Sequence, residues 1–471
     1  MSSAAARLDR LAASYLQPWA ASGVSQALVD ETHLRWADYR DRQWGGFVPL
    51  GTSHNRLLRV NILGNRLYYY TCAGRKSANR LARQRAALEL LQTVLATHDV
   101  PDVDFVLGIS DRPTVPRAAT ASRSPPPLAF AYVATAAHHS VPWPSVSFAP
   151  RRWRQLYDAG ASAAPPPLAA RRQRALWRGS CNSLCDEKAG GCSWPKDRAL
   201  LSRAALLHAA SRCPAKTDVG LTASHHNCPR SFSRVTGPLP LAQWSRYAYL
   251  LHVDGNGFSG RLEELLTLGG VILKQQSPFD AWYYPLLQPG THYAPFSLTG
   301  ANASGAPELC DALRALHADA ARAERLAAAA RNFTAAYLAP ERVRYYVSAL
   351  LRRYASLQRF TPRRHPLAVP FDAAEAPRSA NQTATARMVG CPPGDAKCCR
   401  RHPKACTNHA ILRAFRATSG ESGRAATAPT ARRGATRASP ARCSPGRRAA
   451  LCARTRRRRR CRRAAARAAT P

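Results

Sequence analysis

The sequence predicts an α/β chain with parallel sheets covered on both faces, followed by a long basic tail. Three observations predict it. Short segments of strand character alternate with segments of helical period as far as about residue 357. Several of those strands are apolar along their whole length, as parallel strands buried on both faces are. Beyond about Pro366 no hydrophobic period survives, and Ala, Arg, Thr, Ser, Pro and Gly dominate.

The elements follow in chain order. Leu57–Tyr70 (LLRVNILGNRLYYY) has strand character. Ser77–Thr97 reads as a helix, because Leu81, Leu88, Leu91 and Leu95 recur near a 3.6-residue period. Val103–Ile109 reads as a buried strand, and 112–127 and 158–168 as Pro/Ala-rich connectors. Leu176–Ser180 is a short strand, Arg198–Arg212 a helix, and Ala248–Val253 another buried strand. A Gly-rich turn leads to a helix from about Arg261 to Leu268 and a strand at Val271–Lys274. Glu308–Leu357 is nearly all helix, broken near Pro340.

At 471 residues the chain has room for two or three domains. No stretch reaches the roughly 18–20 consecutive apolar residues of a membrane span, so no transmembrane span is expected. Residues 1–45 show no signal-peptide pattern. There are 69 Lys+Arg against 28 Asp+Glu, a net charge of +41, which points to a polyanionic partner. Two facts weaken that inference. Only seven of those cations are Lys, and an excess of Arg over Lys is what GC-rich coding yields. From Glu375 to Pro471 there are 24 cations and three carboxylates, so half of the excess lies in one fifth of the chain.

Four segments carry chemistry. In Tyr249–Gln276 a buried strand runs into Asp254-Gly255-Asn256-Gly257-Phe258-Ser259-Gly260-Arg261, where a helix begins. Gly255, Gly257 and Gly260 let a backbone approach a ligand, Ser259 suits a helix N-cap, and Arg261 suits a diphosphate. An ordinary strand–turn–helix corner fits as well. In Phe105–Arg117 a strand ends at Asp111-Arg112, where a carboxylate can act as a general base or simply cap a turn. Ala175–Ser180 (ALWRGS) sets Arg178, Gly179 and Ser180 at one strand end, for an anion or as an edge. Trp282–Pro295 clusters aromatics and prolines, as a pocket wall or a packed loop.

In this order and spacing these segments, with VPWPSVSF at 141–148, resemble glycosyltransferase family 90. That family includes protein O-glucosyltransferases and capsule-associated xylosyltransferases. The resemblance spans about residues 60–360. It implies a GT-B architecture, two Rossmann-like domains facing a cleft. It also implies an inverting transferase that takes glucose or xylose from a UDP-sugar, needs no metal or other cofactor, and acts on a protein or glycan hydroxyl. By resemblance Asp111 is the base, while Arg178, Gly179, Ser180, Gly255, Gly257, Ser259, Gly260 and Arg261 bind the donor. Arg112, Trp143, Phe258, Gln275, His292 and Tyr293 are pocket-lining candidates.

The domains expected are an N-terminal segment (1–45), an acceptor domain (46–168) and a donor domain (169–335). Helices (336–365) crossing back to the first domain and a disordered tail (366–471) follow. Cys181, Cys185, Cys192 and Cys228, with His225 and His226, suit either a disulfide-braced insertion or a zinc site. Sequons at Asn302, Asn332 and Asn381 permit a secretory-pathway location, the endoplasmic reticulum or Golgi lumen that the family implies, whereas a complete N-terminus without a leader implies the cytoplasm. The competing function is nucleic-acid binding through the run Arg456–Arg460, Arg462 and Arg463. No nucleic acid is expected for the folded part. A transferase-like fold that only binds is the third reading.

Overall fold

Strands rich in Val, Leu, Ile and Tyr assemble into two separate sheets. The structure, a computed structural model, describes residues 3–36, 57–71, 78–110, 113, 115–117, 120–121, 123–162, 165–180, 203–223, 235–255, 257–298, 305–366 and 368–372. All of them lie in the compact unit Met1–Glu421. The strands are β1 (Leu57–Leu63), β2 (Arg66–Thr71), β3 (Val103–Gly108), β4 (Ala129–Ala131), β5 (Ser140–Pro142), β6 (Arg172–Ser180), β7 (Thr217–Ala223), β8 (Tyr247–His252), β9 (Val271–Gln275), β10 (Ala294–Phe296) and β11 (Val369–Pro370). The helices are α1 (Ser3–Leu16), α2 (Gln26–Trp36), α3 (Ala78–Leu95), α4 (Pro150–Ser162), α5 (Arg203–Ser211), α6 (Leu241–Trp244), α7 (Leu262–Leu266), α8 (Leu309–Ala318), α9 (Ala320–Phe333) and α10 (Pro340–Leu357).

The second sheet, in order β10-β9-β8-β6-β7, is parallel throughout, as the apolar runs predict. The first sheet is mixed, in order β11-β2-β1-β3-β4-β5. Here the expectation of parallel pairing fails. Leu57–Tyr70 has the strand character expected, but as the hairpin β1–β2, and β1 also runs antiparallel to β3. Gly64 and Asn65 both take positive φ, 53° and 60°. That is the backbone of a two-residue type I′ hairpin turn, which Gly and Asn favour.

The first core is centred on β3, buried at all six residues. Phe105 packs 5.3 Å from Phe130, 6.0 Å from Trp143 and 6.2 Å from Tyr354, centroid to centroid. Tyr354 comes from α10, and its hydroxyl donates to the Asp104 carbonyl at 2.8 Å. The long C-terminal helix expected from the sequence is divided at two places. Asp319 caps α9 by accepting from the Arg322 N–H at 2.8 Å, and a π-turn at Thr334–Leu338 precedes Pro340. Helix α10 also packs on α1 and α3. Val369 and Pro370, assigned by sequence to the tail, pair with Tyr69 and Tyr68 at the edge of the first sheet.

The second core is a cluster of β6, β8, β9, α5, α8 and α9 side chains. A disulfide joins Cys213, just after α5, to Cys310 in α8. The sequence had not singled out either cysteine. Cys181, Cys185, Cys192, Cys228, His225 and His226 lie outside the described residues, as does everything after Asp372.

Candidate active site

Strand β8 (YAYLLH) is buried along its length, so its polar chemistry is confined to where it ends. There His252, Val253 and Asp254 lead into the glycine turn. Parallel pairing sets the ends of β6 and β9 on either side of β8. Asp254 holds the turn at both ends. Its N–H donates to Gln275 Oε1 at 3.2 Å, and its Oδ1 accepts from the Ser259 N–H at 3.3 Å. Of the turn glycines, Gly255 and Gly260 do not have positive φ. Both are needed for close approach instead. A Cβ on Gly255 would stand 3.1 Å from the Arg203 guanidinium, and one on Gly260 would stand 2.5 Å from Ser147 Oγ.

Arg203, from α5, was missed by the sequence reading. Its guanidinium is buried between two strand ends. Nε donates to the Asp254 carbonyl at 3.1 Å and Nη1 to the Ser180 carbonyl at 2.9 Å. It also lies 5.5 Å from the Trp177 ring. Burial and the neighbouring Arg261 push its pKa down to about 10. Arg261 donates to the Arg178 carbonyl and lies 5.2 Å from the Trp244 ring; burial lowers its pKa as well. Lys274, near the end of β9, is the third cation, 8% exposed. All three bear on the buried His252, whose pKa is driven well below its ordinary value by burial and by Lys274, Arg261 and Arg203, leaving it neutral. Asp254 is the buried carboxylate among them. No described carboxylate lies within 4.0 Å of any of the three cations.

Arg178 behaves differently. Its guanidinium reaches back along the sheet to Asp218, which stands opposite Leu176, two residues earlier. It contacts Asp218 Oδ1 at 2.5 Å and the Asp218 carbonyl at 2.7 Å, and the Tyr247 hydroxyl donates to the other carboxylate oxygen at 2.5 Å. Arg178 is thus paired away from the strand ends, while its backbone carbonyl receives Arg261. Gly179 cannot carry a side chain, since a Cβ would meet the Trp177 ring at 2.6 Å.

The remaining sequence candidates divide. Gln275, Phe258 and Tyr293 stand at the β8–β9 end. Tyr293 lies 5.6 Å from Lys274, and Phe258 lies 6.4 Å from Tyr284, whose own ring is 4.4 Å from Lys274. Trp143 is in the first core, 0% exposed, and His292 packs 5.0 Å from Phe333, its Nδ1 accepting from the Gln288 N–H at 2.9 Å. Asp111 and Arg112 lie outside the described residues; β3 and the buried Ser110 lead up to them.

The 141–148 segment meets the glycine turn. Ser147 Oγ donates to the Gly260 carbonyl, and Ser145 Oγ to Glu263 at 3.3 Å. Glu263 is fully buried, and burial pushes its carboxyl up to about 8, so it is protonated at neutral pH. Asp280 and Ala134 exchange backbone hydrogen bonds of 3.1 and 2.8 Å. The strand-end geometry thus combines a cationic floor, a neutral imidazole and two flanking tyrosines, a set suited to an anion.

The family description glycosyl transferase family 90 matches residues 50–421, running past the point near 360 where the resemblance stops in the sequence reading. The chain is 24% identical over 317 residues to protein O-glucosyltransferase 2 of Danio rerio, covering 66% of this chain and 58% of that protein. It is 22% identical over 325 residues to protein O-glucosyltransferase 3 of Homo sapiens, covering 66% and 57%. The chain therefore spans less than two thirds of the length of these relatives. Among solved structures, Anabaena HepE in complex with UDP-glucose aligns at 12% identity and a TM-score of 0.25, over 44% of this chain and 52% of that one. The GtfA/B complex aligns at 15% and 0.24, over 40% and 38%.

Proposed function

The chain belongs to glycosyltransferase family 90, and we propose that it is an inverting transferase moving glucose or xylose from a UDP-sugar to a protein or glycan hydroxyl. One observation carries the donor half of this reading. Arg203, buried, and Arg261, half-buried, stand together at the ends of β6 and β8, and no described carboxylate lies within 4.0 Å of either. Buried charge without a counter-ion is costly. A nucleotide diphosphate supplies that counter-ion. The two sheets serve as the halves of a GT-B enzyme, the second holding the donor and the first the acceptor.

The reaction follows from the chemistry of its ends. The acceptor hydroxyl is a weak nucleophile, and Asp111, three residues after β3 in sequence, takes its proton. The acceptor oxygen forms a bond to the anomeric carbon of the sugar. The bond from that carbon to the phosphate oxygen breaks, and its electron pair leaves with UDP. Arg203 and Arg261 stabilise the charge that UDP gains, in a site largely free of water. Arg178 serves as a positioning residue, holding β6 against β7 so that its carbonyl receives Arg261. No metal is required by this arrangement. The Cys213–Cys310 disulfide supports a lumenal location, because such bonds persist in oxidising compartments.

The test is a donor-hydrolysis screen against UDP- and GDP-sugars in the presence of a chelator, with Asp111→Asn alongside. Release of UDP from one UDP-sugar is expected, falling at least about a hundredfold in the variant with folding intact. A folded Asp111→Asn enzyme with undiminished turnover removes Asp111 as the base. A wild type that turns over no UDP-sugar removes the function.

A further inference from the structure

The third cation of the cluster is not accounted for by this reading. Lys274 is the penultimate residue of β9, in register with His252. It is 8% exposed, yet among the described residues its ammonium has no hydrogen-bond acceptor and no carboxylate within 4.0 Å. What surrounds it is aromatic: the Tyr284 ring at 4.4 Å and the Tyr293 ring at 5.6 Å. An ammonium has three N–H donors, and ring faces satisfy none of them as an oxygen would. Asp254 and Asp280 attract it from farther away, but burial outweighs them and lowers its pKa.

Its place in the sheet is informative. In the order β10-β9-β8-β6-β7, Arg203 bridges the ends of β6 and β8, and Arg261 bonds to β6. Lys274 stands on the opposite side of β8. From β9 the chain runs directly to Asp280, whose backbone pairs with Ala134. Ala134 follows β4, the parallel neighbour of β3, and β3 leads in sequence to Asp111. Lys274 is thus the buried cation on the side where the second sheet meets the strands that carry the proposed base. The reacting end of a donor must lie on that side.

We propose that Lys274 binds the distal, sugar-bearing phosphate of the donor, while Arg203 and Arg261 hold the proximal one. This rests on the donor reading above and assigns a division of labour within it. When the bond from the anomeric carbon to the phosphate oxygen breaks, the electron pair stays on the distal phosphate. The ammonium therefore faces more negative charge in the transition state than in the ground state, and it accelerates the chemical step.

The experiment compares UDP with UMP, which lacks the distal phosphate, by calorimetry on wild type, Lys274→Met and Lys274→Arg. Wild type binds UDP more tightly than UMP. Lys274→Met weakens UDP by about 30-fold, the size expected of one charged hydrogen bond, and leaves UMP within about twofold. Its kcat falls by more than its KM rises, and Lys274→Arg recovers part of both losses. Equal weakening of UDP and UMP makes Lys274 a structural residue and overturns the proposal. So does a folded Lys274→Met with unchanged UDP affinity, and either result leaves the donor reading standing. A wild type that binds neither nucleotide overturns the donor reading and the Lys274 assignment together.

Discussion

Two buried charge clusters, one under each sheet, obey different rules. In the first sheet Arg59, 1% exposed, is held by both oxygens of Asp104 and by Asp30 at 2.9 Å. Burial alone would lower the Arg59 pKa, but Asp104 and Asp30 outweigh it and raise it. Gln26 donates to Asp104 at 3.1 Å and completes the set. In the second sheet Arg203, Arg261 and Lys274 gather around His252 with Asp254 as the buried carboxylate, and the pKa of each cation is lowered by burial. A cluster that neutralises itself belongs to the fold. A cluster that leaves cations without near carboxylates lacks that internal balance, which is where the proposed diphosphate would enter.

The difference can be broken experimentally, beginning with its largest expected effect. Asp104→Ala removes half of a satisfied pair and leaves Arg59 buried. Urea unfolding should show a loss of about 3–5 kcal/mol; a loss below about 1 kcal/mol means that the first cluster is not structural. Arg178→Met sharpens the contrast from the donor side. Its ion pair with Asp218 is partly open to solvent, at 13% and 23% exposure, so about 1 kcal/mol of stability should be lost. UDP affinity should stay within about threefold if Arg178 only positions β6; a loss as large as that of an Arg261 variant would return Arg178 to the donor contacts.

The smallest effect is a pH dependence at the seam formed by Glu263 and Ser145. Glu263 holds its proton up to about 8 in the folded chain against 4.5 unfolded. The unfolded state therefore loses this proton first, and stability falls as pH rises through that window. The buried histidines act in the opposite sense: His33, with its pKa lowered to about 3 by burial and Arg59, gains stability up to 6.5. Between about 6.5 and 8 Glu263 adds this falling slope. Wild type should lose stability over that interval through Glu263 by at most about 1.4 kcal/mol per pH unit, and Glu263→Gln should show a flatter profile than wild type. Equal slopes would mean that Glu263 is already ionised.

Much of the second sheet could be read from the chain, because parallel strands buried on both faces declare themselves as apolar runs. The strand character of Leu57–Tyr70 was also written there, but the apolar residues on either side of Gly64-Asn65 hide the turn between them. Arg261 and Ser259 were legible because they sit beside the glycines in one segment, although Ser259 does not cap α7, which begins at Leu262 with Arg261 at its N-cap. Arg203 was not, because its helix is 23 residues beyond Ser180 in sequence and only the packing of α5 brings its side chain between β6 and β8. Arg178 and Arg261 look alike in sequence, yet Arg178 turns back to Asp218, a partner on a strand the sequence reading did not assign. Lys274 carried a faint signal, a lone lysine closing the apolar run VILK in a chain with seven lysines.

The central claim is that the cation surplus at the β6–β8–β9 ends is the seat of a nucleotide diphosphate. Calorimetric titration of UDP into wild type and Arg203→Met tests it most directly. The account predicts that UDP binds the wild type and that Arg203→Met weakens it by at least about 30-fold, while stability changes by less than about 1 kcal/mol. A folded Arg203→Met protein that binds UDP as tightly as wild type would contradict it.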